Sequence, residues 1–232
     1  MTEMLKISPS MKTQLRAIFW RVHPNPPLVF VHVGKCAGSS LKSMLDLGGR
    51  SIWHVHERQP PVSRAFDYIT VIRHPVSRFV SAFRMLKRSG DNIKMPNSDR
   101  KKRVSESKDA ENFCQEFLSD KTLRDSIQYN PQGARALGMG LDFYLGALVS
   151  ACDEGWTLRV LTQENFIHDA ALHFPEHRIP HRLNAGASHW HEHLTEDTGN
   201  QMREALWRDF EVIESLNDKG LIRHEAYRKI IQ

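Results

Sequence analysis

The sequence predicts an α/β protein: a mostly parallel sheet with helices on its faces. Two observations carry this. Residues 28–33 (LVFVHV), 68–73 (YITVIR) and 157–162 (TLRVLT) are short, almost continuous apolar runs rich in β-branched residues. Such runs suit strands covered on both faces, as in a parallel sheet. Helix-type patterns alternate with these strands, which points to layers around one sheet. At 232 residues the chain has the length for a single domain with a sizeable core.

The elements follow in order. Residues 11–22 read as a short amphipathic helix, closed by the breaker HPNPP, so that 1–27 form an extension ahead of the first strand. Residues 39–47 read as a helix stopped by Gly48 and Gly49. SIWHVH (51–56) is expected as a second strand. After 68–73, Pro75 opens a helix at its first turn, with Phe79, Val80, Phe83, Met85 and Leu86 supplying an apolar stripe. Residues 90–108 are polar and charged and are expected as a mobile surface loop. Helices are expected at 110–120 and 141–152. TEDTGNQMREALWRDFEVIESL (195–216) reads as one helix with Met202, Leu206, Phe210 and Ile213 on one side.

Composition narrows the function only slightly. Thirty-two Lys and Arg against 27 Asp and Glu give a net charge of +5, a mild excess that suits an anionic ligand without indicating nucleic acid. Three distant cysteines, Cys36, Cys114 and Cys152, make no disulfide framework. No run of ~18 apolar residues suggests a membrane span, and the N-terminal stretch lacks a signal peptide's apolar core. A cytoplasmic location is the expectation; a chain released from a membrane anchor would read the same. Oligomeric state leaves no trace in the sequence.

The informative stretch is VFVHVGKCAGSSL, residues 29–41. At a strand-to-helix turn, backbone N–H groups converge and the helix N-terminus adds partial positive charge. Gly34, Ala37 and Gly38 would let a ligand approach the backbone of Lys35, Cys36 and their neighbours. Lys35 adds a full charge, and Ser39 and Ser40 add hydroxyl donors. Together they read as a phosphate-loop-like anion cradle, and the fold as P-loop-like with three layers. The plain alternative is a tight turn with an exposed lysine. VIRHPVSRFVSAF (71–83) supplies a second half. Arg73 stands at a strand's carboxyl end, where ligands bind in open α/β sheets. Ser81 lies two helical turns on, so the pair could grip a second phosphate. The competing reading is an Arg73 paired with a carboxylate and a Ser81 that merely packs.

These stretches resemble the 5′-phosphosulfate loop and 3′-phosphate motif of sulfotransferases that use 3′-phosphoadenosine 5′-phosphosulfate (PAPS), with the carbohydrate branch, similar to heparan sulfate 2-O-sulfotransferase, as the nearer match. Of H-x-P-K-T-G-G-T-S-L the chain keeps His32, Lys35, Gly38, Ser40 and Leu41, has Ser39 for threonine, and departs at Gly34 and Cys36. Of R-D-P-x-x-R-x-x-S it keeps Arg73, Pro75, Arg78 and Ser81, with His74 for the acid. YNPQGARALG (129–138) resembles N-x-Q-T-R-x-L-x-G through Asn130, Gln132, Arg135, Leu137 and Gly138. LTQENF, HRLNAGA and LWRDFEVIESL resemble later segments.

The resemblance implies sulfuryl transfer from PAPS to a hydroxyl of a sugar or glycoconjugate. PAP is the product and no metal is required. Lys35 would meet the leaving oxygens. A base is expected from WHVHER, where His54 and His56 share one side of a strand; His56 is preferred, then His54, with Glu57 third. Two other readings stay open: a P-loop kinase on a small metabolite, and a nucleotide-binding module without catalysis. The kinase lacks its metal-holding acid, because the strand 68–73 ends in Arg73. SHWHEH (188–193) lacks zinc-protease spacing and is read as a surface or substrate-facing histidine cluster.

Overall fold

A computed structural model describes residues 18–19, 25–47, 51–89, 98–128, 136–153, 155–175 and 189–231. Among the described residues four strands form one sheet: β1 (Leu28–Val31), β2 (Ile52–Val55), β3 (Asp67–Ile72) and β4 (Thr157–Thr162), in the order β2-β1-β3-β4. All neighbouring pairs are parallel, with Val29 opposite Trp53 and Tyr68, and Thr70 opposite Val160. β1, the inner strand with the most continuous apolar run, is buried at all four positions. The α/β class read from the sequence is thus the class of the structure.

Between and after the strands lie α1 (Gly38–Leu47), α2 (Pro75–Ser89), α3 (Ser98–Glu106), α4 (Ala110–Ser119) and α5 (Lys121–Gln128). A π-helical turn (Asp142–Gly146) runs into α6 (Ala147–Ala151). α7 (Phe166–His173), a 3-10 turn (Trp190–Glu192), α8 (Glu196–Ala205), α9 (Trp207–Asp218) and α10 (His224–Ile231) complete the described chain.

Two apolar clusters divide the interior. One packs the sheet against Leu41 and Met44 of α1, Leu145 and Leu148 beside it, and Val212, Ile213 and Leu216 of α9. The other surrounds the outer face of α2, where Phe79 and Phe83 stack on Phe113, and Phe79 meets Phe117 at 5.0 Å. α2 thus supplies much of the second core, and Pro75 to Val80 are all buried.

Several elements differ from the sequence reading. Residues 98–106, expected within a mobile loop, form α3. Its sequence SDRKKRVSE has Val104 as its sole apolar residue, and that side chain is fully buried. The helix is held by guanidinium contacts instead: Arg103 pairs with Glu116 and, at 2.8 Å, with Asp120, and Arg100 donates to Ser126 O. Residues 90–97 lie outside the described residues, as do most of the expected helix 11–22 and Gly48–Gly49. The single late helix is two, α8 and α9, broken at Leu206. The expected helix 141–152 starts as a π-turn.

The carboxyl end of β4 is fixed by one buried carboxylate. Asp169 accepts from Thr162 N and Thr162 Oγ1, both at 2.8 Å, and from Asn165 Nδ2 and Arg223 at 3.1 Å. Asp169→Ala should strand these donors and cost about 3 kcal/mol. Thermal unfolding should show a Tm lower by roughly 6–12 °C; an unchanged Tm would show that this lock is not needed.

Candidate active site

The strand order reverses direction between β1 and β3: the chain leaves β1 for β2 on one side and leaves β3 for β4 on the other. Such a switch point opens a crevice at the strands' carboxyl ends. The Gly34–Ala37 loop hangs over it from β1 and Arg73 enters from β3. Arg73 Nη1 donates to Lys35 O at 3.4 Å, so the two sequence motifs meet.

The loop is bent at unexpected residues. Lys35 (φ 69°) and Ala37 (φ 56°) occupy the left-handed region, whereas Gly34 does not. A Cβ on Gly34 would come no closer than 4.0 Å to Ala136 Cβ. Left-handed residues interspersed with right-handed ones turn successive N–H groups inward, the geometry of an anion nest. No acidic residue stands in the first turn of α1 to neutralise it. The glycine that matters is Gly38, whose Cβ would lie 2.1 Å from the His32 ring. Cys36 points away into the core: it is fully buried, its Sγ donates to Gly34 O at 3.7 Å, and burial pushes its thiol up to about 12. It can therefore face a ligand only through its backbone. Ser39 is exposed and Ser40 buried at the start of α1.

Opposite the loop, α2 carries Ser77, Ser81, Arg84 and Arg88 along one face, at the spacing of successive turns. Burial lowers the pKa of Arg73, and Arg78 and Arg84 add to the effect against Cys36 and Glu164. Lys35 is lowered by burial, then by Arg88 and Arg73. Among the described residues five cations, Lys35, Arg73, Arg78, Arg84 and Arg88, thus act on one another around the crevice, with Glu164 as an acidic neighbour at the end of β4. Glu164 Oε1 accepts from His74 N at 3.0 Å, and burial raises its own carboxyl. Arg84 and Arg88 escaped the sequence reading, although their offsets of three and seven from Ser81 carry the signal. Arg78 is different: it donates to the carbonyls of Ala136, Leu137 and Met139, and its Nε lies 3.8 Å from Asp209, so it is a structural cation.

The 189–193 segment docks on the same face of α2. Trp190 N donates to Ser77 Oγ at 3.1 Å, and Arg84 Nη1 donates to His193 Nε2 at 2.6 Å. His189 and His191 are exposed, while Trp190 packs in the α2 core. No group of three or more metal-type side chains is assembled among the described residues.

On the β2 side, three imidazoles cluster, with His56 stacked on both His32 and His54. His32 Nδ1 and His54 Nε2 are hydrogen-bonded at 2.9 Å. His56 lies 4.4 Å from His32, ring to ring, and its Nδ1 is 3.1 Å from His32 O. A carbonyl only accepts, so Nδ1 carries a proton and, in the neutral ring, Nε2 is the nitrogen with the lone pair. His54 and His56 lie parallel on one side of the strand, as the alternation predicted. Burial first, then His56 and His54, pushes His32 down to about 3, which keeps it neutral. Burial also lowers His54. Glu57 is exposed, left-handed at φ 57°, and its N–H donates to Tyr144 Oη at 3.2 Å. Asn130, Gln132 and Arg135 fall outside the described residues.

A basic nest at the switch point of a parallel sheet defines an α/β protein with a cationic crevice at its strands' carboxyl ends. More particularly, residues 20–128 match the model of the sulfotransferase family, a span a little under half the chain that contains Lys35, His54, His56, Arg73 and Ser81. The match supports a sulfotransferase, and sulfuryl transfer as the general activity. No curated protein and no solved structure matches the chain. No helix among the described residues is long and apolar enough to cross a membrane.

The loop geometry makes a paired prediction. Gly34→Ala should leave stability within about 0.5 kcal/mol. Gly38→Ala should drive the His32 ring from its place, cost about 1–3 kcal/mol, and shift the His54 and His56 resonances in NMR spectra. Equal effects of the two substitutions would contradict this placement.

Proposed function

We propose that the protein transfers a sulfuryl group from PAPS to a hydroxyl of a sugar or glycoconjugate, giving a sulfate ester and PAP. The observation that carries this reading is the cationic crevice in which the Lys35 nest and Arg73 meet. PAPS bears anionic groups at both its 5′ and 3′ ends, and the residues fit that pattern. The amides of Gly34 to Gly38, with Lys35, Ser39 and Ser40, suit the 5′-phosphosulfate. Arg73 and Ser81, extended by Arg84 and Arg88, suit the 3′-phosphate.

When bound, PAPS supplies the sulfuryl group. The acceptor oxygen bonds to sulfur as the bond from sulfur to the 5′-phosphate oxygen breaks. His56 Nε2 takes the acceptor proton, since its other nitrogen is committed to His32 O. Lys35 faces the leaving oxygen, where charge grows. His54 is tied to His32 and acts as a positioning residue that keeps the His32 ring, and with it the carbonyl that orients His56, in place. Glu57 shapes the turn.

PAP should stabilise the folded protein in a thermal-shift series, because it binds the native state alone; no response to millimolar PAP would sink the assignment. Arg73→Ala should weaken PAP far more than adenosine 5′-phosphosulfate, which lacks the 3′-phosphate. Equal losses would show that Arg73 does not read that group.

Radiolabelled PAPS tests the base. His56→Ala should lower turnover by about 10²–10⁴-fold with PAP affinity nearly intact, and His54→Ala should lower it less. The reverse order would move the base to His54, and full activity of both variants would remove β2 from the mechanism.

A further inference from the structure

A concavity distinct from the Lys35 and Arg73 crevice is lined by neither of those residues. It encloses about 440 Å³, within the usual size of small-ligand sites, and is lined from α2, α4, α5, the π-turn and α9. Its wall is joined to the turn that carries His56. Gln59, three residues on from His56, lines it. So does Phe143, whose neighbour Tyr144 accepts from Glu57 N. The π-turn Asp142–Gly146 sits on this wall, and such turns are frequent at functional sites.

The lining has a distinct chemistry. Phe143 and Trp207 present aromatic surface, and Trp207 is 51% exposed, high for so large an apolar side chain. Gln59, Gln128 and Asp142 provide amide and carboxylate groups around them. Charge is balanced among the described lining residues. Arg78 and Asp209 face each other across 3.8 Å, and both are deeply buried. Arg208 lies over the Trp207 ring at 5.4 Å and within electrostatic reach of Asp142. The crevice at Lys35 and Arg73 gathers positive charge; this cavity does not.

We infer that this cavity binds the acceptor, and that the acceptor is an uncharged sugar ring, not a uronate or an already sulfated saccharide. The acceptor role rests on the proposed sulfotransferase reading; the sugar site itself rests on the lining. Aromatic faces match the C–H face of a pyranose, and the amides and carboxylate match its hydroxyls. A polyanionic saccharide would meet Asp142 with no surplus cation among these residues to answer its charge.

The test uses the whole protein, with methyl glycosides of glucose, galactose, mannose and N-acetylglucosamine as neutral probes and a heparin-derived disaccharide as the acidic one. Binding is read by saturation-transfer NMR, and PAP binding by thermal shift in the same samples. At least one neutral glycoside should bind, and Trp207→Ala should weaken it at least tenfold while leaving the PAP shift unchanged. Asp142→Asn, which conserves shape, should weaken it as well. Binding of the acidic probe alone, of no probe, or of neutral probes indifferent to Trp207→Ala would overturn the inference. Trp207-dependent sugar binding without any response to PAP would keep the sugar site and discard the donor reading.

Discussion

The reversal of strand order between β1 and β3 is the constraint on which the site depends. Two adjacent parallel strands hand the chain off in opposite directions, so no connection covers the gap between their carboxyl ends. Everything with chemistry gathers there: the Lys35 loop from β1, Arg73 from β3, Glu164 from β4 and the imidazoles of β2. The gap is narrow because β1 and β3 are tightly joined, with Thr70 Oγ1 donating to Val31 O at 2.9 Å inside the sheet. Parallel pairing also aligns the strand ends in one row, which is why four sequence-distant segments can share a crevice.

The walls are set by buried charge as much as by apolar packing. Arg78, only 1% exposed, collects the three carbonyls of the 136–139 turn. Asp209 answers it from α9 and accepts from Asp142 N at 2.9 Å. Gly140 makes room, since a Cβ there would lie 2.2 Å from Asp209 Oδ2. One guanidinium thus ties α2, the π-turn and α9 into a fixed frame, at the desolvation cost usual for a buried pair. Its neighbour on the helix, Ser77, performs a similar task for the 189–193 segment. α2 is therefore both the floor of the crevice and the beam that sets its walls.

Much of this was legible in the sequence, for identifiable reasons. The strands declared themselves because two-sided burial demands unbroken apolar runs, and Lys35, Arg73 and Ser81 sit at fixed offsets from strand ends. α3 was not legible, because its stability comes from Arg100 and Arg103 reaching α4 and α5, contacts that no local pattern records. The break at Leu206 is likewise tertiary, for the apolar spacing runs through it. His32 appeared in the sequence as a motif letter; only the fold shows it hydrogen-bonded to His54, stacked on His56 and seated on Gly38. The loop's backbone was less legible: Gly34 and Gly38 read alike in the sequence, yet the left-handed conformations fall on Lys35 and Ala37, and Gly38 is the glycine whose missing side chain matters.

That strain has a physical logic. A side chain in the left-handed region costs about 1–2 kcal/mol relative to its preferred states, and glycine at either position would avoid it. Lys35 cannot be glycine if its ammonium is to face the crevice. Ala37 packs against the core beneath the loop, and its Cβ removes the freedom a glycine would retain. The loop is thus held in a nest shape by folding itself, and the entropy of ordering it would not have to be spent on binding a ligand. The cations reinforce the point. Lys35, Arg73, Arg84 and Arg88 repel one another, and burial deprives Lys35 and Arg73 of water. A ligand with negative charge at two places relieves both penalties together. The fold carries these local penalties because its two cores hold the strand ends and α2 in place, and under the proposed function the release of that stored cost would contribute to binding a doubly anionic donor.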